Sequence, residues 1–185
     1  MKCKGCKKRT DCNLDEIRIV PFEIEDEELH KLFSYFLHTA PGIDSAHKTH
    51  LSPDLHDKVY KEMMEGRQIE VQKYYSDSLA DKLMRYKLLG SEICLPCKRI
   101  ICQRKNNKDE RERKETDLEC LLRHLRNAIA HGRVYYYQQE GKRKWLVFED
   151  INKSKNLSAR IVCLKADLKQ WKKVLGKHVM KSQHS

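Results

Sequence analysis

Thr116-Asp117-Leu118-Glu119-Cys120-Leu121-Leu122-Arg123-His124-Leu125-Arg126-Asn127-Ala128-Ile129-Ala130-His131-Gly132 is the stretch on which the reading of this chain turns. Leu118, Leu121, Leu122, Leu125 and Ile129 recur at three- and four-residue spacing, which predicts a helix with one buried stripe. Thr116 followed three residues later by Glu119 has the form of a capping box, and Gly132 directly after His131 supplies a left-handed stop. The same period sets Asn127 one turn below His131, while Arg126 has the reach to bring its guanidinium near the same point. An arginine, an asparagine and a histidine are thus predicted to converge at one helix end.

Helical spacing continues upstream. Leu29, Leu32, Phe33, Phe36 and Leu37 predict a helix within residues 23–40, closed by Pro41-Gly42. Ser52-Pro53 opens a second one running to about Glu65, after a loop over 43–53. From Ile69 to Leu89 the apolar and aromatic positions suit a long amphipathic helix, or two with a kink, ending at Gly90. Leu14 to Pro21 reads equally as a short strand or a connector. Gln103 to Glu115 has no apolar side chain and reads as a solvated loop or helix extension.

Downstream the pattern changes. Val134-Tyr135-Tyr136-Tyr137 and Trp145-Leu146-Val147-Phe148, separated by a turn at Glu140-Gly141-Lys142, predict a β-hairpin, with a third strand at Arg160 to Leu164. Leu168, Trp171, Val174 and Leu175 restore helical spacing over 165–178, and the residues from His178 onward read as a frayed tail. The expected fold is one domain, mainly α: a cysteine-rich head at 1–13, a helical bundle at 23–131, a hairpin and strand at 134–164 and a C-terminal helix.

Lysine and arginine total 38 against 27 acidic residues, a formal charge of +11. Such a balance attracts polyanions such as nucleic acid, although lysines that merely keep helix surfaces soluble read the same way. The charge is uneven. The first twelve residues hold five basic side chains and one acidic, and residues 151–185 hold nine and one. No apolar run approaches the roughly 20 residues that span a bilayer, and the head lacks the hydrophobic stretch of a signal peptide, so the expected place is the cytoplasm, with no membrane partner.

A histidine that titrates near neutrality can move protons to or from a ribose hydroxyl. A permanently charged arginine can hold a phosphate as negative charge builds up, and an asparagine can orient either group. The competing reading is structural: Arg126 in surface ion pairs, His131 against the terminal carbonyls and Gly132 as a cap. The wording of the segment shifts that balance. Arg126-Asn127-Ala128-Ile129-Ala130-His131 resembles the arginine, four to six residues, histidine signature of HEPN domains, in which the residue after the arginine is commonly polar. The extension His131-Gly132-Arg133-Val134 and the hairpin with Val147-Phe148-Glu149-Asp150 look like a plasmid- and defence-associated HEPN subgroup, over roughly residues 116–178.

The resemblance implies a HEPN-like bundle acting as a metal-independent endoribonuclease. Two subunits would bring their motifs together in one composite cleft, with His131 transferring protons, Arg126 stabilising the scissile phosphate and Asn127 holding the geometry. Attack by the ribose 2′-hydroxyl would leave a cyclic phosphate and a 5′-hydroxyl. Arg123, His124, Arg133 and Tyr135 are the candidate RNA contacts, with Tyr135 able to stack on a base. The RNA would be tRNA or mRNA, and the setting phage defence or a toxin-antitoxin system with an antitoxin partner. Some HEPN proteins paired with a nucleotidyltransferase carry a tyrosine two residues after the histidine, where adenylylation silences them; Arg133 stands there and speaks against that control. The rival reading is a non-catalytic, zinc-stabilised RNA-binding or scaffold protein, which would have no chemical reason to keep Arg126, Asn127 and His131 together.

Cysteines make a second constellation. Cys3-x2-Cys6 and Cys94-x2-Cys97 could each bite a zinc ion from one side and together complete a closed, structural four-thiolate site, with Cys12 or Cys102 able to substitute. Free thiols or a redox disulfide are the competing readings. Cys120 and Cys163 sit among apolar neighbours and read as buried fillers.

Overall fold

Asp26 opens the first helix: its carboxylate accepts the backbone N–H of Leu29 at 3.1 Å and meets Lys144 at 2.5 Å and Lys165 at 2.8 Å. Charge-assisted bonds to two later elements thereby fix where the helix starts. This is seen in a computed structural model that describes residues 18–21, 23–41, 51–67, 69–74, 98–104, 114–138 and 143–182. The described elements are β1 (Arg18–Ile19), α1 (Glu27–Ser34), α2 (Pro53–Met64), β2 (Glu70–Tyr74), β3 (Arg99–Gln103), α3 (Asp117–Ala130), β4 (Val134–Gln138), β5 (Lys144–Ile151), β6 (Leu157–Leu164) and α4 (Lys165–Ser182). A π-helical turn, Tyr35–Thr39, continues α1 and closes through Ala40 N–H on the Tyr35 carbonyl at 2.8 Å.

The strands form a single six-stranded sheet in the order β1-β4-β5-β6-β3-β2, antiparallel throughout except for the parallel β3–β2 pair. Successive side chains on a strand point to opposite faces. Val134, Leu146, Phe148, Ile161, Cys163, Ile100 and Cys102 therefore share one face and join the main core with residues from all four helices. Trp145, Val147 and Val162 form a smaller cluster with Tyr135, Tyr137 and Leu164 on the other. The tyrosine run splits as a strand requires, with Tyr136 packed on the helix side. Trp171, Phe33, Phe36 and Phe148 are wholly enclosed, each worth about 1.5–3 kcal/mol of burial.

Two expectations are corrected here. The mainly α bundle with a small hairpin is in fact four helices laid on one face of a sheet, compatible with a HEPN domain but richer in strand. The difference comes from β2 and β3. Residues 70–74 were expected in a long helix, yet they pair with Arg99–Gln103, and Arg99 to Cys102 pair in turn with Ala159 to Val162. Hydrogen bonds to strand partners 29 residues away, themselves paired with a strand up to 63 residues further on, override the local pattern. The rest of that expected helix, 75–89, lies outside the described residues, as does the hairpin turn.

The second correction concerns the tail, since α4 runs on through Ser182. His178 is buried, and its Nε2 lies 3.0 Å from Glu62 of α2, while Trp171 donates its indole N–H to the Met63 carbonyl at 3.0 Å. Tertiary contacts of this kind hold the last turns in place. Of the stretch 14–21, left open between strand and connector, Arg18–Ile19 form a short strand paired with Tyr135 and Val134, and residues 14–17 lie outside the described residues.

Candidate functional site at the end of the third helix

α3 begins as its sequence requires. Thr116 Oγ1 accepts from Glu119 N–H at 3.3 Å, the Glu119 carboxylate accepts from Thr116 N–H at 2.7 Å, and His56 Nδ1 lies 3.0 Å from the same Thr116 hydroxyl. The helix ends on Gly132, whose φ of +61° only glycine adopts without strain. Gly132 N–H bonds to the Ile129 carbonyl at 3.1 Å and Arg133 N–H to that of Ala128 at 2.8 Å, the two bonds of a Schellman motif. Arg18 Nε reaches over to the Gly132 carbonyl at 2.9 Å and ties β1 to this turn. His131 is thereby the last residue before a rigid reversal, with its ring exposed.

The other two motif residues are held from below. Arg126 lies along the end of the π-helical turn, where Nε donates to the Phe36 carbonyl at 3.1 Å and Nη2 to those of Ala40 and Pro41. Backbone carbonyls at a helix end lack intrahelical partners, and this guanidinium satisfies three of them. Asn127 donates through Nδ2 to Asp150 Oδ2 at 3.0 Å. Arg126 and Asn127 thus project from α3 into structure, while His131 projects out of it.

Asp150 is the residue that reading the sequence missed. Alternation along β5 puts it on the same face as Leu146 and Phe148, pointing at α3. A register shift at Asp150/Ile151 accompanies it, and such irregularities commonly re-aim a side chain. His124 Nδ1 lies 2.7 Å from the Asp150 carboxylate, and Ser158 donates to the Asp150 backbone carbonyl at 3.0 Å. Burial pushes the Asp150 pKa upward, yet hydrogen bonds from His124 and Asn127 prevail and hold it below the usual carboxylate range. The strand alternation itself was the available signal.

The four candidate RNA contacts separate. Tyr135 is half-buried on the sheet face away from the helices. Arg133 is half-buried, with Nη1 donating to the Ile151 carbonyl at 3.3 Å. Arg123 is engaged with Glu115 at 2.6 and 2.9 Å and with the Gln103 carbonyl at 3.1 Å. His124, expected beside RNA, is wholly enclosed, and an enclosed ring has no face for a polymer. Its Nε2 lies 2.7 Å from the Gln103 carbonyl.

Of the expected zinc ligands, Cys3, Cys6, Cys94 and Cys97, with the substitute Cys12, lie outside the described residues. Cys102 is described and buried on the helix-facing side of β3, beside Cys120 of α3. Cys163 fills the core as expected. Among the described residues, no helix is long and apolar enough to cross a membrane.

A chain built as helices over a sheet, with an Arg-x4-His motif closing its central helix, fits the comparison with known families. Residues 72–183, more than half of the chain, match the HEPN pEK499 p136 family, and the chain belongs to it. No curated protein and no solved structure matches the chain. Membership in a HEPN family points to a nuclease or RNA-related role.

Proposed function

We propose that the chain is a HEPN-type endoribonuclease that cleaves tRNA or mRNA without a catalytic metal, in phage defence or a toxin-antitoxin system. The observation that carries this reading is the division of labour at the end of α3: His131 is open to solvent at a fixed turn, one helical turn above an Asn127 immobilised on Asp150. A proton-transfer group must reach the substrate, whereas the groups that set its geometry must not move. His131 takes the proton of the ribose 2′-hydroxyl or returns one to the leaving 5′-oxygen. The 2′-oxygen bonds to phosphorus, the bond to the 5′-oxygen breaks, and the products are a 2′,3′-cyclic phosphate and a 5′-hydroxyl.

Arg126 fixes the end of the π-helical turn and contributes its positive charge to the phosphate as charge builds up there. A second copy of the chain would supply a second Arg126 and His131 across a dimer axis, so that the monomer is inactive, and an antitoxin would restrain the dimer. The structural zinc on Cys3, Cys6, Cys94 and Cys97 remains part of this proposal. One observation favours the binding-only rival: three backbone carbonyls already occupy the Arg126 guanidinium, a role that needs no substrate.

The test is incubation of the wild-type protein and its His131→Ala variant with total RNA in buffer without added divalent cations, with fragment ends mapped. Cleavage by the wild type alone, leaving cyclic phosphate ends, supports the ribonuclease. Equal cleavage by both, or none with RNA still bound, moves the assignment to the binding protein.

A further inference from the structure

His124 stands between two groups that can only accept. Its Nδ1 faces the Asp150 carboxylate at 2.7 Å and its Nε2 the Gln103 carbonyl oxygen at 2.7 Å, in a site with no exposure. A neutral imidazole has one donor and one acceptor nitrogen, so it satisfies one of these neighbours and opposes the other. Positive charge resolves the conflict, either a second ring proton, which the neighbouring Cys120 thiol can supply, or a cation beside Nε2. Two thiols lie where such a cation would sit. The ligating atoms of Cys102, Cys120 and His124 all fall within 4.8 Å of one another, and all three residues are buried.

We propose that Cys102, Cys120 and His124 hold a structural zinc ion, with Asp150 orienting the imidazole and the fourth position facing the Gln103 carbonyl. Zinc favours this donor set, at about 2.3 Å from sulfur and 2.0–2.1 Å from an imidazole nitrogen. Closing the three ligands on one ion requires separations of about 3.5–4 Å, a contraction of up to about 1.3 Å, and the Gln103 carbonyl, 2.7 Å from Nε2, would recede to take the fourth position. Ligating histidines characteristically give their second ring N–H to a carboxylate, and Asp150 already accepts it. Two thiolates and a neutral imidazole around Zn²⁺ sum to zero charge, which suits an enclosed site. Binding expels the two thiol protons and the Nε2 proton to solvent.

The spacing explains why two elements are needed. Cys120 and His124 lie one turn apart on α3, and Cys102 comes from β3, so the ion would staple the motif helix to the sheet. Asp150 also holds Asn127, which joins this site to the helix end that carries His131. The inference does not rest on the ribonuclease reading.

The experiment uses zinc and cadmium alone. A full-length variant with Cys3, Cys6, Cys12, Cys94 and Cys97 changed to Ser is expected to bind one equivalent of zinc and to melt higher with it, and adding Cys120→Ala should abolish both effects. The cadmium-113 spectrum of the cadmium-loaded wild type should contain a resonance for two sulfurs with one nitrogen, and it decides the matter if the serine variant does not fold. No metal bound to the folded serine variant, a sulfur-only spectrum, or a Cys102–Cys120 disulfide without metal would each overturn the proposal.

Discussion

The two ends of α3 differ in what their polar side chains do. In the first half, Glu119 and His124 are buried and Arg123 is nearly so, and each is matched to a partner on another segment: His56, Asp150 and Glu115. At the far end His131 is exposed above a glycine turn. Polar groups removed from water must be paired, so the first half has been used up in building the fold. Chemistry on a polymer has to happen where a side chain still meets solvent. The motif residues straddle this boundary, with Arg126 and Asn127 on the built side and His131 on the open one.

The largest effect expected from this contrast is on activity. His131→Ala should lower RNA cleavage by about 10²–10⁴-fold while changing stability by less than about 0.5 kcal/mol, measured as cleavage rate and thermal melting on one preparation. A large fall in melting temperature would show that the open end is structural after all. Asp150→Ala should act first on stability, costing about 3–5 kcal/mol because it leaves His124 buried without its carboxylate, and should also lower cleavage because it releases Asn127. Denaturant unfolding measures this, and a cost under about 1 kcal/mol would mean that the Asp150 contacts contribute little.

Smaller effects locate the boundary more finely. Gly132→Ala places a Cβ at φ +61° and should cost about 1–2 kcal/mol, although the added carbon has room, its nearest neighbours being Arg18 and Pro21 atoms at 3.9 Å. Because the strain falls on the turn that holds His131, activity should drop further than melting predicts. Thr116→Ala, at the opposite end, should cost about 1 kcal/mol in stability with cleavage per folded molecule unchanged.

The smallest effect is the one that pH exposes away from α3. Burial raises the Asp26 pKa, but hydrogen bonds from Lys144 and Lys165 hold it well below the usual carboxylate range. Asp26 unfolds to an ordinary value near 3.9, so its stabilisation is present above about pH 4 and is lost as the pH falls through the folded value. Asp26→Asn keeps the helix cap and loses the ion pairs. The variant should be about 1 kcal/mol less stable at neutral pH, and the gap from wild type should close under acid, followed by melting from pH 7 to pH 2.

α3 is legible from the order of residues alone: its stripe, its Thr116–Glu119 cap and its Gly132 stop are interactions within a few residues. So are α1, α2, the hairpin strands and the Arg-x4-His spacing, because each follows a local period. The pairings at long separation came only with the packed fold. The spacing from Ile69 onward suits a helix, yet Glu70–Tyr74 become a strand with Arg99–Gln103 beside them. His178 looked like part of a tail until Glu62 received it. Cys102 and Cys120, 18 positions apart in the chain, come together with His124 only because β3 and α3 pack on each other. A helix advertises its own face; which strand lies against that face, and so which carboxylate or thiol meets it, is set by the free energy of the whole core rather than by any local segment.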